Sequence, residues 1–117
     1  RPCEERGEIA RLGDSLLKAA RKCPTGIFLG WYPIKDVAAL DRMVAALDRA
    51  LERPALRIDL MIDRPDDETR LHGTGLVVIN PPWMLAAEAD LFLPALAERL
   101  ARGSYGAFRC DRIGLAE

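Results

Sequence analysis

The sequence predicts an α/β fold in which an open sheet carries helices on both of its faces. Segments with the apolar spacing of helices alternate with short apolar runs typical of strands, in the order α-β-α-β-β-α-β. The first strand lies between two helices, as in parallel βαβ units, whereas the loop between the two central strands is too short for a helical crossover. The expected sheet is therefore mixed, with parallel strands ending in an antiparallel hairpin, in a single domain over residues 1–117.

Three segments are predicted to be helices. The first has apolar residues at helical spacing over residues 9–20. Asp36 is placed to cap the second, and Pro54 stops it. The third covers about residues 85–100 and has an apolar stripe that should face the core. The predicted members of that stripe are Leu85, Ala89, Phe92, Leu96 and Leu100.

Four apolar runs are predicted to be strands, at residues 26–32, 56–62, 76–79 and 105–113. In the second run apolar residues alternate with Arg57 and Asp59, which predicts a strand with one wetter face. The third run is continuously apolar, which predicts burial on both faces. A Gly-x-Gly at residues 73–75 precedes this strand instead of following one, so it is predicted to be a flexible entry to the strand and not a nucleotide-binding loop.

Composition limits the classes to which the chain could belong. Half of the residues are hydrophobic, enough for a real core, and the net charge of −1 is no overall footprint of a nucleic-acid-binding protein. The two ends are mildly basic, so any RNA contact is expected to favour them. Three cysteines without a C-x-x-C indicate reduced thiols, and the single histidine, His72, is predicted to be a loop residue and not a metal ligand. Without a signal peptide or a long apolar run, the protein is expected to be soluble and cytoplasmic.

The segment Asn80-Pro81-Pro82-Trp83 directly follows the third strand. The Asn carbonyl and a Pro carbonyl could accept both N–H bonds of an exocyclic amino group, which leaves the nitrogen lone pair free to attack a methyl donor. The prolines hold the carbonyl outward, and the aromatic ring could stack on a flipped base. Amino methyltransferases use this pattern. The alternative is a strand that ends in a rigid turn, with Trp83 as a buried anchor at the start of the next helix.

A second aromatic group, Trp31-Tyr32-Pro33, ends the first strand. Open α/β sheets bind ligands beyond the carboxyl ends of their strands, so these residues are candidates to face a substrate. Packing of the two aromatic rings against a helix is an equally good interpretation.

With these segments in order, the sequence resembles the bacterial 23S ribosomal RNA adenine-N6 methyltransferases, a family earlier described as competence or external-DNA-catabolism proteins. The segments on which the resemblance rests are Glu4-Glu5-Arg6, the run 24–34 with its Trp-Tyr-Pro, and the run 73–83 from Gly-Thr-Gly to Asn-Pro-Pro-Trp. The resemblance covers nearly the whole chain and corresponds to the C-terminal portion of such an enzyme. It implies a Rossmann-like class I methyltransferase that uses S-adenosylmethionine and whose cofactor half is not in this chain.

The resemblance also implies that residues 80–83 are the family's second motif of this type. The catalytic Asp-Pro-Pro-aromatic motif would fall on the first residues, where Pro2 matches but Arg1 replaces a proline and Cys3 replaces the aromatic. The catalytic Asp would precede Arg1, so no intact catalytic residue and no cofactor-binding residue is expected here. Motifs and resemblance together give the substrate-binding candidates Cys3, Glu4, Trp31, Tyr32, Pro33, Asn80, Pro81, Pro82 and Trp83.

The expected partners are ribosomal RNA and an upstream domain or second chain that completes the sheet; no membrane partner is expected. A half-sheet with an exposed edge is prone to association, so a homodimer is a further candidate. The rival interpretation is a non-catalytic α/β module that binds nucleic acid or protein, as a fragment or decayed paralogue with a link to the use of external DNA. Four arginines near the end of the chain, Arg99, Arg102, Arg109 and Arg112, are candidates for RNA phosphates or for a solvated surface.

Overall fold

The computed structural model describes residues 2–64, 70–103 and 105–115, with side chains from residue 7 onward. The elements follow the predicted order: α1 (Pro2–Lys22), β1 (Phe28–Ile34), α2 (Val37–Ala50), β2 (Pro54–Met61), β3 (Gly73–Ile79), α3 (Leu85–Leu100) and β4 (Ala107–Gly114). The predicted α/β class is confirmed.

The four strands form one sheet in the order β1-β3-β2-β4. Each neighbouring pair is antiparallel, including the predicted hairpin of β2 and β3. The prediction of a mixed sheet is wrong for the described strands. β1 and β2 do run in the same direction and are joined through α2, but β3 inserts between them, so no parallel ladder forms.

Helices cover both faces of the sheet, as predicted. On the α1–α2 face, apolar side chains of the two helices pack with Tyr32, Val77 and Ile79 of the sheet. On the α3 face, Leu56 and Ile58 pack against Ala89 and Leu93. Residues 77–79 of β3 are buried on both faces, because the strand is central and lies between the two cores.

The predicted core stripe of α3 is confirmed for Leu85 and Ala89 and is wrong for its other three residues. Its buried residues are Ala89, Leu93 and Ala97, whereas Phe92, Leu96 and Leu100 are exposed. The alanines let the helix axis approach the strands closely, and α3 packs on β2 and β4. Phe92, Leu96 and Leu100 therefore form an exposed apolar side of α3, called here its shoulder, that no described element covers.

The register defines the two opposite ends of the strands, which are called here the carboxyl edge and the amino edge. At the carboxyl edge, where β1 and β2 end, Ile34 and Met61 each pair with Gly73. At the amino edge, where β1 and β2 begin and β3 ends, Phe28 and Ala55 each pair with Ile79. At about 3.3 Å per residue the two edges lie roughly 20 Å apart. Anything placed at one edge is therefore remote from the other.

Candidate functional site

The Trp31-Tyr32-Pro33 group is divided between the two faces of the sheet. Tyr32 is fully buried in the core of the α1–α2 face. Trp31 is 61% exposed on the α3 face, and its Nε1–H donates a hydrogen bond to Thr74 Oγ1. Pro33 is half-buried near the carboxyl edge. Strand alternation therefore gives Tyr32 a packing position and presents Trp31 outward.

A buried polar network lies beneath α2 and centres on Asp59. The Tyr32 hydroxyl donates to Asp59 Oδ1, and Arg57 Nε donates to Asp59 Oδ2 at 2.9 Å. Arg57 Nη2 also reaches Asp41 Oδ1 at 3.2 Å, on the exposed side of the network. Arg57 and Asp59 are only 6% and 5% exposed, so the prediction of a wetter face on β2 is wrong. The opposite charges neutralise each other, which makes their burial tolerable.

Gly75 makes room for this network. In the register Tyr32, Gly75 and Asp59 lie side by side across three strands. A Cβ on Gly75 would run into the Tyr32 ring and the Asp59 carboxylate. The alternation of residues along β2 does not reveal this network. A glycine inside a strand is a sign that other groups approach the backbone closely, and here it was the available signal.

Both ends of the network have shifted pKa values. Burial raises the pKa of the Tyr32 hydroxyl, and the neighbouring Asp59 carboxylate raises it further. Burial alone would lower the pKa of Arg57, but the Asp59 charge and the bond to Asp41 outweigh it, so the pKa of Arg57 is raised. The network therefore keeps Arg57 charged and Tyr32 protonated.

We expect stability at alkaline pH to report on Tyr32. Because its pKa is raised on folding, its contribution is complete below the pKa of the unfolded chain, about 10, and is lost as the pH rises further. The free energy of unfolding should fall more steeply above about pH 10 in the wild type than in Tyr32→Phe, by up to ~1.4 kcal/mol per pH unit. Urea unfolding between about pH 8 and 11 measures both slopes. Parallel curves would contradict the assignment.

Asn80 is held by four hydrogen bonds at the amino edge. Its Nδ2 donates to the carbonyls of Pro24 and Gly26, both at 2.7 Å, and its Oδ1 accepts from Arg53 Nε at 2.8 Å. Its backbone N–H donates to the Pro54 carbonyl at 2.8 Å. The residue has φ of 54°, a left-handed conformation in which asparagine is enriched. Asn80 thus ties the end of β3 to the loop after α1 and to the start of β2.

Beyond Asn80 the chain turns outward. Pro81 is half-buried, Pro82 is exposed, and the Pro82 carbonyl accepts the Leu85 N–H at 3.0 Å. Trp83 is 87% exposed, so the interpretation of Trp83 as a buried anchor is wrong. It lies past the end of the sheet, where no described element covers it.

The structure does not bring the candidate residues into one site. Residues 80–83 lie at the amino edge and Pro33 lies near the carboxyl edge, roughly 20 Å away. Cys3 and Glu4 lie in the first turn of α1, and their side chains fall outside the described part of the chain. Arg109 and Arg112 stand at positions of β4 that point to opposite faces, so they do not form one cationic patch.

Other predicted features of the chain have mixed outcomes. His72 does lie outside the strands, but it is fully buried, because its backbone bridges the Ile34 carbonyl and the Ile62 N–H at the carboxyl edge. Within the described ranges, no group of three or more His, Cys, Asp or Glu side chains is placed to hold a metal ion. No helix in that part of the chain is long and apolar enough to span a membrane. Cys23 and Cys110 are free thiols.

One stretch of the α3 face has no cover from the described residues. Ile27, just before β1, and Leu29 and Trp31 within it are 55%, 63% and 61% exposed, and β1 is an edge strand. The exposed shoulder of α3, with Phe92 and Leu96, lies on the same face. An edge strand that, with the residue before it, exposes three large apolar side chains is a site for association.

Comparisons with known proteins agree with the sequence resemblance. The family model described as "Ribosomal RNA large subunit methyltransferase D, RlmJ" matches residues 1–113. Two curated relatives, both named ribosomal RNA large subunit methyltransferase J, are 28% identical to the chain. The one from Escherichia coli (strain K12) is matched by 90% of this chain over 38% of its own length. The one from Haemophilus influenzae is matched by 96% of this chain over 40% of its length.

The fold also has a solved counterpart. A crystal structure of a Legionella pneumophila protein superposes with a TM-score of 0.79 at 24% identity, covering 92% of this chain and 39% of that one. The chain thus spans about two fifths of the length of the relatives it matches. With its family model matched almost from end to end, the chain belongs to the RlmJ family of ribosomal RNA large subunit methyltransferases.

Proposed function

We propose that this chain is the C-terminal part of an adenine-N6 methyltransferase that acts on 23S ribosomal RNA in the cytoplasm with S-adenosylmethionine as methyl donor. The observation that carries the proposal is the uncovered β1 edge and α3 face in a chain that matches only two fifths of its relatives' length. Family membership favours this function over that of a free-standing nucleic-acid- or protein-binding module.

The residues present do not fit the cofactor. The Gly-x-Gly of residues 73–75 lies inside β3, and the space beside its glycines is already taken by Leu60, Tyr32 and Asp59. The carboxylate that follows β1, Asp36, accepts the Ala39 N–H at 3.1 Å and caps α2. The two features that would suit a nucleotide-like ligand are thus used within the fold. The methyl donor would be held by residues outside this chain.

The β1 edge is the proposed place of attachment for the remaining three fifths of the family's length. Burying a large apolar side chain contributes about 1.5–3 kcal/mol, and Ile27, Leu29 and Trp31 present three on one face. An added strand would pair with the outer edge of β1, and a helix would cover these side chains together with the shoulder of α3. The sheet would then continue beyond β1, with the carboxyl edge as the methyl-transfer side.

At that edge the candidates Pro33, Cys3 and Glu4 would lie near the target adenine. α1 packs on β1, and five residues separate its end at Lys22 from the start of β1 at the amino edge, so its first turn points toward the carboxyl edge. In the complete protein the adenine would be flipped out, and its amino nitrogen would be positioned for methyl transfer by proximity and by carbonyl acceptors.

We expect no binding of S-adenosylmethionine or S-adenosylhomocysteine by the purified chain. Isothermal titration calorimetry at millimolar ligand should give only heats of dilution, because the chain lacks a place for the cofactor. The full-length Escherichia coli relative is the positive control for the ligand stocks. Saturable micromolar binding by this chain would overturn the division of the fold that we propose.

Light scattering on the same sample tests the exposed edge. A monomeric chain supports the proposal, in which the remaining part of the protein, and not a second copy, pairs with β1. A stable homodimer that Leu29→Lys dissociates would show instead that a second copy covers this face.

A further inference from the structure

We propose that the amino edge carries a second RNA contact, in which an unpaired base stacks on Trp83 and nearby cations hold the adjoining phosphates. The inference rests on the proposed function in taking ribosomal RNA as the ligand. It assigns to residues 80–83 a role in docking the RNA that flanks the target, and not in methyl transfer.

The ring of Trp83 is presented from a rigid base. At 87% exposure it is open to solvent on nearly all sides. The two prolines before it fix φ, and the hydrogen bonds of Asn80 anchor the turn to two other segments. The backbone that carries the ring therefore loses little conformational freedom when a ligand stacks on Trp83. An indole in this position is suited to the face of a base, whatever the base is.

Cations lie on the two segments that Asn80 joins to the end of β3. The carbonyl of Pro24, which Asn80 binds, follows the last turn of α1 with its exposed Arg21 and Lys22. Arg53 donates directly to Asn80. Arg21, Lys22 and Arg53 are the cations on the segments that Asn80 joins, and Glu52 is the acidic residue beside Arg53 in the chain. These cations are placed to hold the phosphates that adjoin a base stacked on Trp83.

The position of this surface determines what it would bind. It lies roughly 20 Å from the carboxyl edge, too far for one nucleotide to reach both. A single exposed aromatic ring with flanking cations is the arrangement by which proteins hold single-stranded RNA without reading its sequence. The expected ligand is therefore an unpaired stretch next to the target nucleotide.

The test is binding of a short fluorescent RNA without secondary structure to the purified chain, followed by anisotropy. The wild type should bind saturably, with an affinity that falls as salt rises. Trp83→Ala should weaken binding about 5- to 150-fold, the equivalent of ~1–3 kcal/mol for one stacked base. Trp83→Phe should restore most of the loss. Leu91→Ala removes another exposed apolar side chain, at 80% exposure, and should leave the affinity unchanged.

The cations are tested in the same assay. Lys22→Gln should lower the slope of log affinity against log salt by about one contact, whereas Arg42→Gln, a cation elsewhere on α2, should not. Absence of RNA binding by the wild type, or equal binding by Trp83→Ala, would overturn the proposal. So would a Trp83→Ala effect confined to self-association, which would mark a protein interface. None of these results depends on methyl transfer, so they leave the proposed function to its own test.

Discussion

Asp59→Ala is expected to lower the free energy of unfolding by roughly 3–5 kcal/mol, the cost of leaving one partner of a buried ion pair alone. The substitution removes the acceptor of Arg57 Nε and of the Tyr32 hydroxyl, both away from solvent. Among the carboxylates of the described residues, Arg57 then keeps Asp41, whose side chain is 55% exposed and whose charge is screened by water. The guanidinium would then remain buried with too little compensation.

Urea unfolding followed by circular dichroism measures this loss. Asp41→Ala is the matched control, because it removes the other carboxylate from the same guanidinium at the exposed end. It should cost no more than about 1 kcal/mol. Adding Arg57→Met to Asp59→Ala should recover part of the stability, since an apolar replacement of both charges leaves no unpaired ion. Equal losses for Asp41→Ala and Asp59→Ala would show that the network is not the buried ion pair we describe.

Gly73→Ala is expected to have the next largest effect, a loss of roughly 3 kcal/mol, at the upper end of overpacking. A Cβ at this position would meet the Leu60 carbonyl oxygen and would lie 2.8 Å from Met61 Cα, both backbone atoms of the neighbouring strand. Backbone cannot swing aside as a side chain does, so β2 and β3 would have to separate at the carboxyl edge.

Gly103 provides the comparison for Gly73. It has φ of 60°, and a Cβ added to it would have no neighbour within 4 Å. Gly103→Ala should therefore cost about 1–2 kcal/mol through backbone conformation alone. In thermal unfolding, Gly73→Ala should have a clearly lower melting temperature than Gly103→Ala. The reverse order would show that the strands at the carboxyl edge tolerate separation.

Local signals in the sequence predicted the elements well. Asp36 caps α2 as expected, and the short connection between β2 and β3 forms the predicted hairpin. The order of strands could not be predicted in the same way. Periodicity shows that a segment is a strand, but which neighbour it takes depends on the whole sheet, and β3 lies between β1 and β2 without any local sign.

The predictions of which side chains point to the core are wrong where several sides of an element have similar polarity. α3 is apolar over a wide arc, and the stripe with Phe92 was a natural choice, but the alanines decided which side approaches the sheet. Arg57 and Asp59 had the spacing of a solvated face and became buried because the register placed Tyr32 and Gly75 beside them. Such pairing arises between segments far apart in the chain, so composition within one strand could not reveal it.

The anchoring of Asn80 has a chemical consequence for how its motif is understood. In the methyl-transfer hypothesis Asn and Asp are equivalent, since either offers a carbonyl oxygen to an amino group. At this position they are opposites, because the Nδ2 group faces two carbonyl oxygens at 2.7 Å and a carboxylate would turn both attractions into repulsions. The identity of this one side chain therefore reflects the hydrogen bonds by which Asn80 holds the end of β3 to its neighbours.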